Sequence, residues 1–227
     1  MRGAECVLLT HESREALAEA VTRWRSVVRR VGLIVTCERE LQIAVELGLD
    51  FVAAKGHEAG GLVGEETTFV LLQRLLASKA LPVYAWGGIG VHTAAACGVA
   101  GAAGVVLDWQ LSLTRESPVP GPFRRRLAVM DGGETVLVQA PDGRYFRLYS
   151  QPGMTAEEQL QSTSEKAQLD ESADEDSWNW VIGAMLAERD FSKRLWPVGQ
   201  DGVFAKFLGT QAPSVAKVLS VFRDHLR

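Results

Sequence analysis

The sequence predicts an α/β fold: the C-terminal half of a parallel (β/α)8 TIM barrel, with about five strands and their helices, followed by a β-hairpin and a C-terminal helical segment. Three observations carry this expectation. Short strand-like runs are apolar throughout rather than alternating, as in a parallel sheet whose outer face is covered by helices. Each run gives way to a stretch of helical periodicity, at a short, regular spacing that suits a barrel better than an open sheet. Glycine-bearing loops follow two of the runs directly, at the end of a barrel strand where ligand sites are built.

The elements follow in order. Cys6-Val7-Leu8-Leu9 is the first apolar run, ending at Thr10-His11. Residues 13–30 read as a helix, with Leu17, Val21, Trp24 and Val28 on one face and Ser13 as the N-cap. Gly32 to Thr36 is the second strand, and 38–47 the second helix, with Leu41, Val45 and Leu47 inward and Gly48 as its stop. Asp50 to Ala54 is a third strand, running into Gly56-His57-Glu58-Ala59-Gly60-Gly61. Thr68 to Ala77 is helical, Pro82 to Trp86 a strand, Thr93 to Val99 a small-residue helix closed by Gly101, and Gly104 to Leu107 a fifth strand.

Beyond it the pattern changes. Residues 134–150 read as an antiparallel hairpin, Thr135 to Val138 and Tyr145 to Leu148, around Pro141-Asp142-Gly143. Residues 155–177 are polar and acidic, a solvated linker, and 178–227 return to helical spacing, with Trp178, Val181 and Met185 on one face and Val215, Leu219 and Phe222 on another. The expected division is a partial barrel over 1–118, a hairpin insertion over 119–153, an acidic linker over 154–177, and a helical segment over 178–227 packing on the barrel. A closed barrel needs eight strands. The others are expected to precede Met1, through truncation, or to come from a partner chain, because an uncovered sheet edge is a liability. The alternative is an open five-stranded α/β domain complete in itself.

Composition narrows the function classes. With 47% hydrophobic and 23% charged residues the 227-residue chain is an ordinary globular protein, without a stretch apolar enough for a membrane span or an apolar signal region. Its net charge of -4 argues against a nucleic-acid partner. The one tight basic run, Arg124-Arg125-Arg126, reads as a solvated or carboxylate-paired surface. Cys6, Cys37 and Cys97 are sparse and far apart, which suits a reducing cytoplasm, and neither they nor His11, His57, His92 and His225 have metal-ligand spacing.

Two loops carry the candidate chemistry. Gly56 to Gly64 and Gly87-Gly88-Ile89-Gly90 each follow a strand, and the second immediately precedes a helix. Glycines there let backbone N–H groups approach an anion, and the helix N-terminus favours phosphate. Either loop alone is better explained as a tight turn; both on one barrel favour a phosphate site. Lys55 reads as a snorkelling or ion-paired lysine, Glu65-Glu66 as complements to a helix dipole, and Trp178 and Trp180 as docking anchors.

The run Asp50 to Gly61, then Leu81 to Ile89, then Gly101 to Leu107, resembles consecutive motifs of the nitronate monooxygenase (2-nitropropane dioxygenase) family, whose FMN-dependent enoyl-acyl carrier protein reductases are close relatives. The resemblance covers roughly residues 30–117, with a weaker match at Trp196-Pro197-Val198-Gly199-Gln200-Asp201. Gly60 to Phe69 and the hairpin look most like the version fused to modular polyketide synthases. The resemblance implies a barrel flavoprotein that binds FMN non-covalently, with Ala59, Gly60, Gly61, Gly87, Gly88 and Ile89 at the cofactor. Three features depart from the pattern. The family's catalytic histidine, directly after Ala-Gly-Gly, is here Leu62, which cannot accept a proton. The Gly-Thr after the last strand is Asp108-Trp109, which puts a carboxylate where relatives bind phosphate. The relatives' N-terminal strands are missing. His57 is the remaining candidate for a catalytic proton carrier.

The expected function is thus a cytoplasmic FMN-dependent oxidoreductase of the nitronate monooxygenase-like class, a monooxygenase or reductase acting on a small molecule or acyl thioester in polyketide or fatty-acyl biosynthesis. The alternative is a non-catalytic flavin-barrel remnant that docks within a polyketide synthase. A second copy pairing its half-barrel is a further expectation for the partner.

Overall fold

A computed structural model describes residues 4–10, 13–139, 143–150, 158, 189 and 194–225. The chain forms two compact units whose stretches interleave: Met1–His57, Gly64–Leu107 and Ser214–Arg227 make the first, Glu58–Val63 and Asp108–Pro213 the second.

The first unit is a β/α repeat. Its early part comprises β1 (Cys6–Leu9), α1 (Arg14–Arg25), β2 (Arg30–Val35), α2 (Glu38–Glu46) and β3 (Phe51–Lys55). A short strand, β4 (Gly61–Val63), then leaves for the second unit before the repeat resumes. The remainder is α3 (Thr68–Ala77), β5 (Val83–Trp86), α4 (Val91–Ala100) and β6 (Gly104–Val106). The sheet runs β1-β2-β3-β5-β6 with every pair parallel, so spatial neighbours are successive βα repeats. The five-stranded parallel architecture expected from the apolar runs is therefore present. Val52, Ala53 and Ala54 of β3 are all fully buried. Successive strand residues face opposite sides, so both faces of the sheet are covered. Each fully buried valine or leucine here contributes about 1.5–3 kcal/mol.

Local signals set the helix limits. The Ser13 hydroxyl accepts the Ala16 N–H at 3.1 Å, capping α1. Gly48 and Gly101 end α2 and α4 in the left-handed region, at φ +65° and +101°. The inward faces differ from expectation at three positions. Val45 is exposed and the inward residues of α2 are Leu41 and Ala44; Trp24 lies at the surface of α1. The last helix, α7 (Val215–His225), turns Val218 and Phe222 inward, and Leu219 is 52% exposed. At Val45 and Leu219 a one-residue error of phase, about 100° around a helix, exchanged an inward for an outward neighbour.

The second unit holds an antiparallel sheet, β4-β8-β7, with the expected hairpin strands as β7 (Thr135–Gln139) and β8 (Tyr145–Tyr149). Residues Pro141 and Asp142 of the expected turn lie outside the described residues. Leu62 of β4 pairs with Phe146, and Gly61 with Arg147. The first glycine loop is thus partly a strand rather than a loop throughout. Helix α5 (Gly121–Leu127), not anticipated, precedes the hairpin. It buries Phe123 and Leu127 against Met130, Tyr149, Trp196 and Val198, with the Phe123 and Trp196 rings stacked at 4.0 Å. Arg124 is half-buried and donates to the Leu113 and Thr114 carbonyls at 2.8 and 2.9 Å. That corrects its reading as a solvated or carboxylate-paired residue. Helix α6 (Ala205–Gln211) ends this unit, and α7 (Val215–His225) returns the chain to the first.

The acidic segment of residues 155–177 and the helical reading of Trp178, Trp180, Val181 and Met185 fall outside the described residues, except that Glu158 is exposed. Among the described residues no helix is long and apolar enough to cross a membrane.

Candidate functional site

In the first unit the candidate residues gather at the C-terminal ends of β3 and β5. Lys55 and Trp86 are register partners there. Lys55 is only 7% exposed, and its ammonium lies over the Trp86 ring at 4.6 Å. It does not snorkel: a desolvated cation–π contact, worth about 2 kcal/mol, holds it inside. The Trp86 indole N–H is buried without a hydrogen-bond partner, an uncommon state for a buried donor. Beside this pair the Gly56 N–H donates to the Trp86 carbonyl at 2.9 Å, and so does the Thr68 hydroxyl at 3.1 Å. His57 is half-buried and donates its backbone N–H to the Glu66 carbonyl at 2.9 Å, which fixes its place on the loop. Glu66 itself pairs with Arg74, which also reaches Glu38 at 2.8 Å, so this carboxylate belongs to a surface ion network.

β5 ends in two consecutive left-handed glycines, Gly87 at φ +113° and Gly88 at φ +63°. A side chain at either would be strained. The turn delivers Ile89, fully buried, and then Gly90, the N-cap of the ten-residue α4. The Thr93 hydroxyl accepts the Gly90 N–H at 2.7 Å, taking one of the helix's first donors. A phosphate fits this end of the site: a glycine pair without side chains leads into the positive end of a helix.

Ala59, Gly60 and Gly61 belong to the second unit and sit differently. A Cβ at Gly60 would stand 1.8 Å from the Pro197 carbonyl oxygen, and one at Gly199 would stand 2.8 Å from the Gly60 nitrogen. The two glycines mark a close crossing of the Glu58–Gly60 and Pro197–Gly199 backbones, tied by Gln200 N–H to Glu58 O at 2.8 Å. The Pro197 carbonyl also accepts the Trp109 indole N–H at 2.6 Å. On that side Gly60 is filled by protein backbone rather than left open. Gly61, at φ +77°, begins β4.

Next to the crossing lies a buried polar cluster that the sequence did not single out. Gln110 accepts the Asp108 N–H at 2.6 Å and donates to an Asp201 carboxylate oxygen at 3.0 Å. Gln110 and Asp201 are both fully buried, and the second Asp201 oxygen has no hydrogen-bond partner. Burial, reinforced by the Asp108 charge, pushes the Asp201 carboxyl up to about 7, against the pull of the Gln110 bond. Buried Arg147 on β8 is pushed down by desolvation, opposed by Glu58 and Asp201. Asp201 appears in sequence only as the end of Gly199-Gln200-Asp201, which reads as a polar turn. The one available signal was its place in the Trp196–Asp201 motif.

A cavity of about 390 Å³ in the first unit, lined by Tyr84, Val105, Leu107, Leu219, Phe222 and Arg223, contains none of the expected site residues. No group of His, Cys, Asp or Glu among the described residues could hold a metal ion.

The model of one family, described as nitronate monooxygenase, matches residues 7–206. The chain belongs to the nitronate monooxygenase family. Solved structures share the fold of this nitronate monooxygenase-family chain. FabK from Thermotoga maritima superposes with a TM-score of 0.74 at 22% identity, covering 97% of this chain and 67% of FabK. A nitroalkane oxidase from Streptomyces ansochromogenes gives 0.68 at 23% identity, covering 98% and 65%. The enoyl reductase domain of MlnA, from the macrolactin biosynthesis cluster of Bacillus amyloliquefaciens, gives 0.67 at 11% identity, covering 97% and 80%. At these identities the likeness establishes the barrel-type fold, of which this chain spans roughly two thirds of the first two neighbours. No curated protein matches the sequence significantly. The family's histidine position after Ala-Gly-Gly is Leu62, paired in β4 with Phe146.

Proposed function

We propose that this family member is an FMN-dependent oxidoreductase, with the cofactor phosphate held by the backbone of Gly87, Gly88 and Ile89. The observation that carries this reading is the pair of left-handed glycines entering α4 in a chain whose family match spans residues 7–206. Bound flavin would supply the electron transfer; the chain would supply anchorage, exclusion of water and a proton carrier. Leu62 cannot exchange a proton, so His57, fixed through its backbone bond to Glu66, takes that role. The substrate class is a nitronate or an enoyl thioester, and the setting is polyketide or fatty-acyl synthesis.

Titration with FMN, followed by absorbance and fluorescence quenching, is expected to give stoichiometric binding. Absence of binding at tens of micromolar, about 6–7 kcal/mol, would overturn the reading. His57→Gln is expected to lower turnover by about a hundredfold or more, the usual worth of a general acid or base, with FMN affinity unchanged. Turnover equal to that of the parent chain would remove His57 from the mechanism.

The second reading, a non-catalytic docking module of a polyketide synthase, is favoured by Leu62 and by the carboxylate of Asp108 after the last strand. A purified chain that stays colourless and takes up no flavin would decide for it.

A further inference from the structure

The Asp201 cluster combines three features that a merely structural carboxylate does not need. It is fully buried, one of its oxygens has no hydrogen-bond partner, and it sits against the crossing that fixes Gly60. That unpartnered oxygen would stand 2.5 Å from a Cβ at Gly199, at the same point where the Glu58 carbonyl and the Gly60 nitrogen each lie 2.8 Å away. The other oxygen is held by Gln110, whose amide is oriented by the Asp108 N–H. The Asp201 side chain thus packs against Gly199, the residue at which the two backbones of the crossing come closest.

We propose that Asp201 and Gln110 form a clamp that positions the Glu58–Gly61 segment, closed while the carboxyl carries its proton and loosened when the proton is lost. Asp201 is a positioning residue: it acts through Gly199, whose backbone lies against Glu58 and Gly60. The groups facing it are Asp108, which follows β6 in sequence, Glu58, in the first glycine loop, and Arg147, on β8. Ionised Asp201 would add a buried charge facing the carboxylates of Asp108 and Glu58, with Arg147 as the facing cation. Repulsion from Asp108 and Glu58 is relieved by separating the strands of the crossing, because Glu58 lies on one of them and Asp201 follows the other. The carboxyl's raised value, about 7, places the change near neutrality. Its consequence for cofactor affinity rests on the flavin reading above; the clamp itself does not.

The test is amide hydrogen exchange of the full chain without cofactor, corrected for intrinsic rates, at about pH 6 and about pH 8.5. Exchange at Gly60, Gly61 and Gly199 is expected to accelerate about tenfold or more in the parent chain and not in Asp201→Asn, which keeps an acceptor for Gln110 but cannot ionise. Equal acceleration in both overturns the clamp. If the Asn variant does not fold, ¹³C titration of the aspartate carboxyls in the parent chain decides. A midpoint near 7 that moves down in Asp108→Asn supports the clamp, and one in the ordinary carboxylate range overturns it. FMN affinity read at the same two pH values separates the two claims. PH-dependent exchange without any FMN binding sinks the flavin reading alone, while binding that is equally tight at both pH values, with exchange unchanged, sinks the clamp alone.

Discussion

Gly60→Ala is expected to lower the unfolding free energy by about 3 kcal/mol or more. The added Cβ would lie 1.8 Å from the Pro197 oxygen, 2.6 Å from its carbon and 2.7 Å from the Gly199 nitrogen. All three are backbone atoms, so no flexible side chain can swing aside. The Pro197 carbonyl cannot retreat cheaply either, since it accepts the Trp109 indole N–H and its neighbours Trp196 and Val198 are packed in the Phe123 cluster. Gly48→Ala is the control: nothing lies within 4 Å of a Cβ there, so the cost is the left-handed backbone alone, about 1–2 kcal/mol. Urea unfolding of the two variants measures the difference. A Gly60 variant no less stable than the Gly48 variant would mean the crossing is not rigid, and would return Gly60 to a purely cofactor-facing role.

Asp201→Asn is expected to stabilise the chain above neutral pH by up to about 4 kcal/mol, at about 1.4 kcal/mol per pKa unit. The sign follows from proton counting. The unfolded carboxyl ionises near 3.9, whereas the folded one keeps its proton to about 7. Between those values the folded chain binds the extra proton, so stability falls as the pH rises through the window and the loss is complete above the folded value. The Asn variant has no such term. Its advantage should therefore be absent below about pH 4, grow through the window and level off above about pH 7. Denaturant midpoints of both chains across that range test this, and a stability difference that does not vary with pH would contradict it.

The sheet was legible because parallel strands buried on both faces, such as Val52-Ala53-Ala54, cannot be written without unbroken apolar runs. The glycine turn after Trp86 was legible for a similar reason: two adjacent left-handed residues leave little choice but Gly-Gly. β4 was not, because Gly61-Leu62-Val63 is too short to show alternation and its partner, Tyr145 to Arg147, lies far down the chain. Helix α5 was hidden by Pro120-Gly121-Pro122, which reads as a turn although proline is well tolerated in a first helical turn. Asp201, Gln110 and Arg147 were invisible for a deeper reason. A polar residue carries no mark of its burial in a single sequence, and three residues from distant segments meet only once the backbone crossing has formed. The candidate glycines, by contrast, divide between the two units at a point the sequence shows as one continuous loop.

The pairing of β4 with β8 also sets a timetable. Gly61 to Val63 leaves the ribosome long before Tyr145 to Arg147, and at roughly 5–20 residues per second the interval lasts several seconds. Throughout it Leu62 and Val63 have no partner strand, and the nascent chain must carry that gap without satisfying it wrongly. Gly60, Gly61 and Gly64 bracket the two apolar residues with the poorest strand formers, which discourages premature pairing until the hairpin emerges. The same glycines that permit the crossing in the finished protein would keep the waiting segment uncommitted during synthesis.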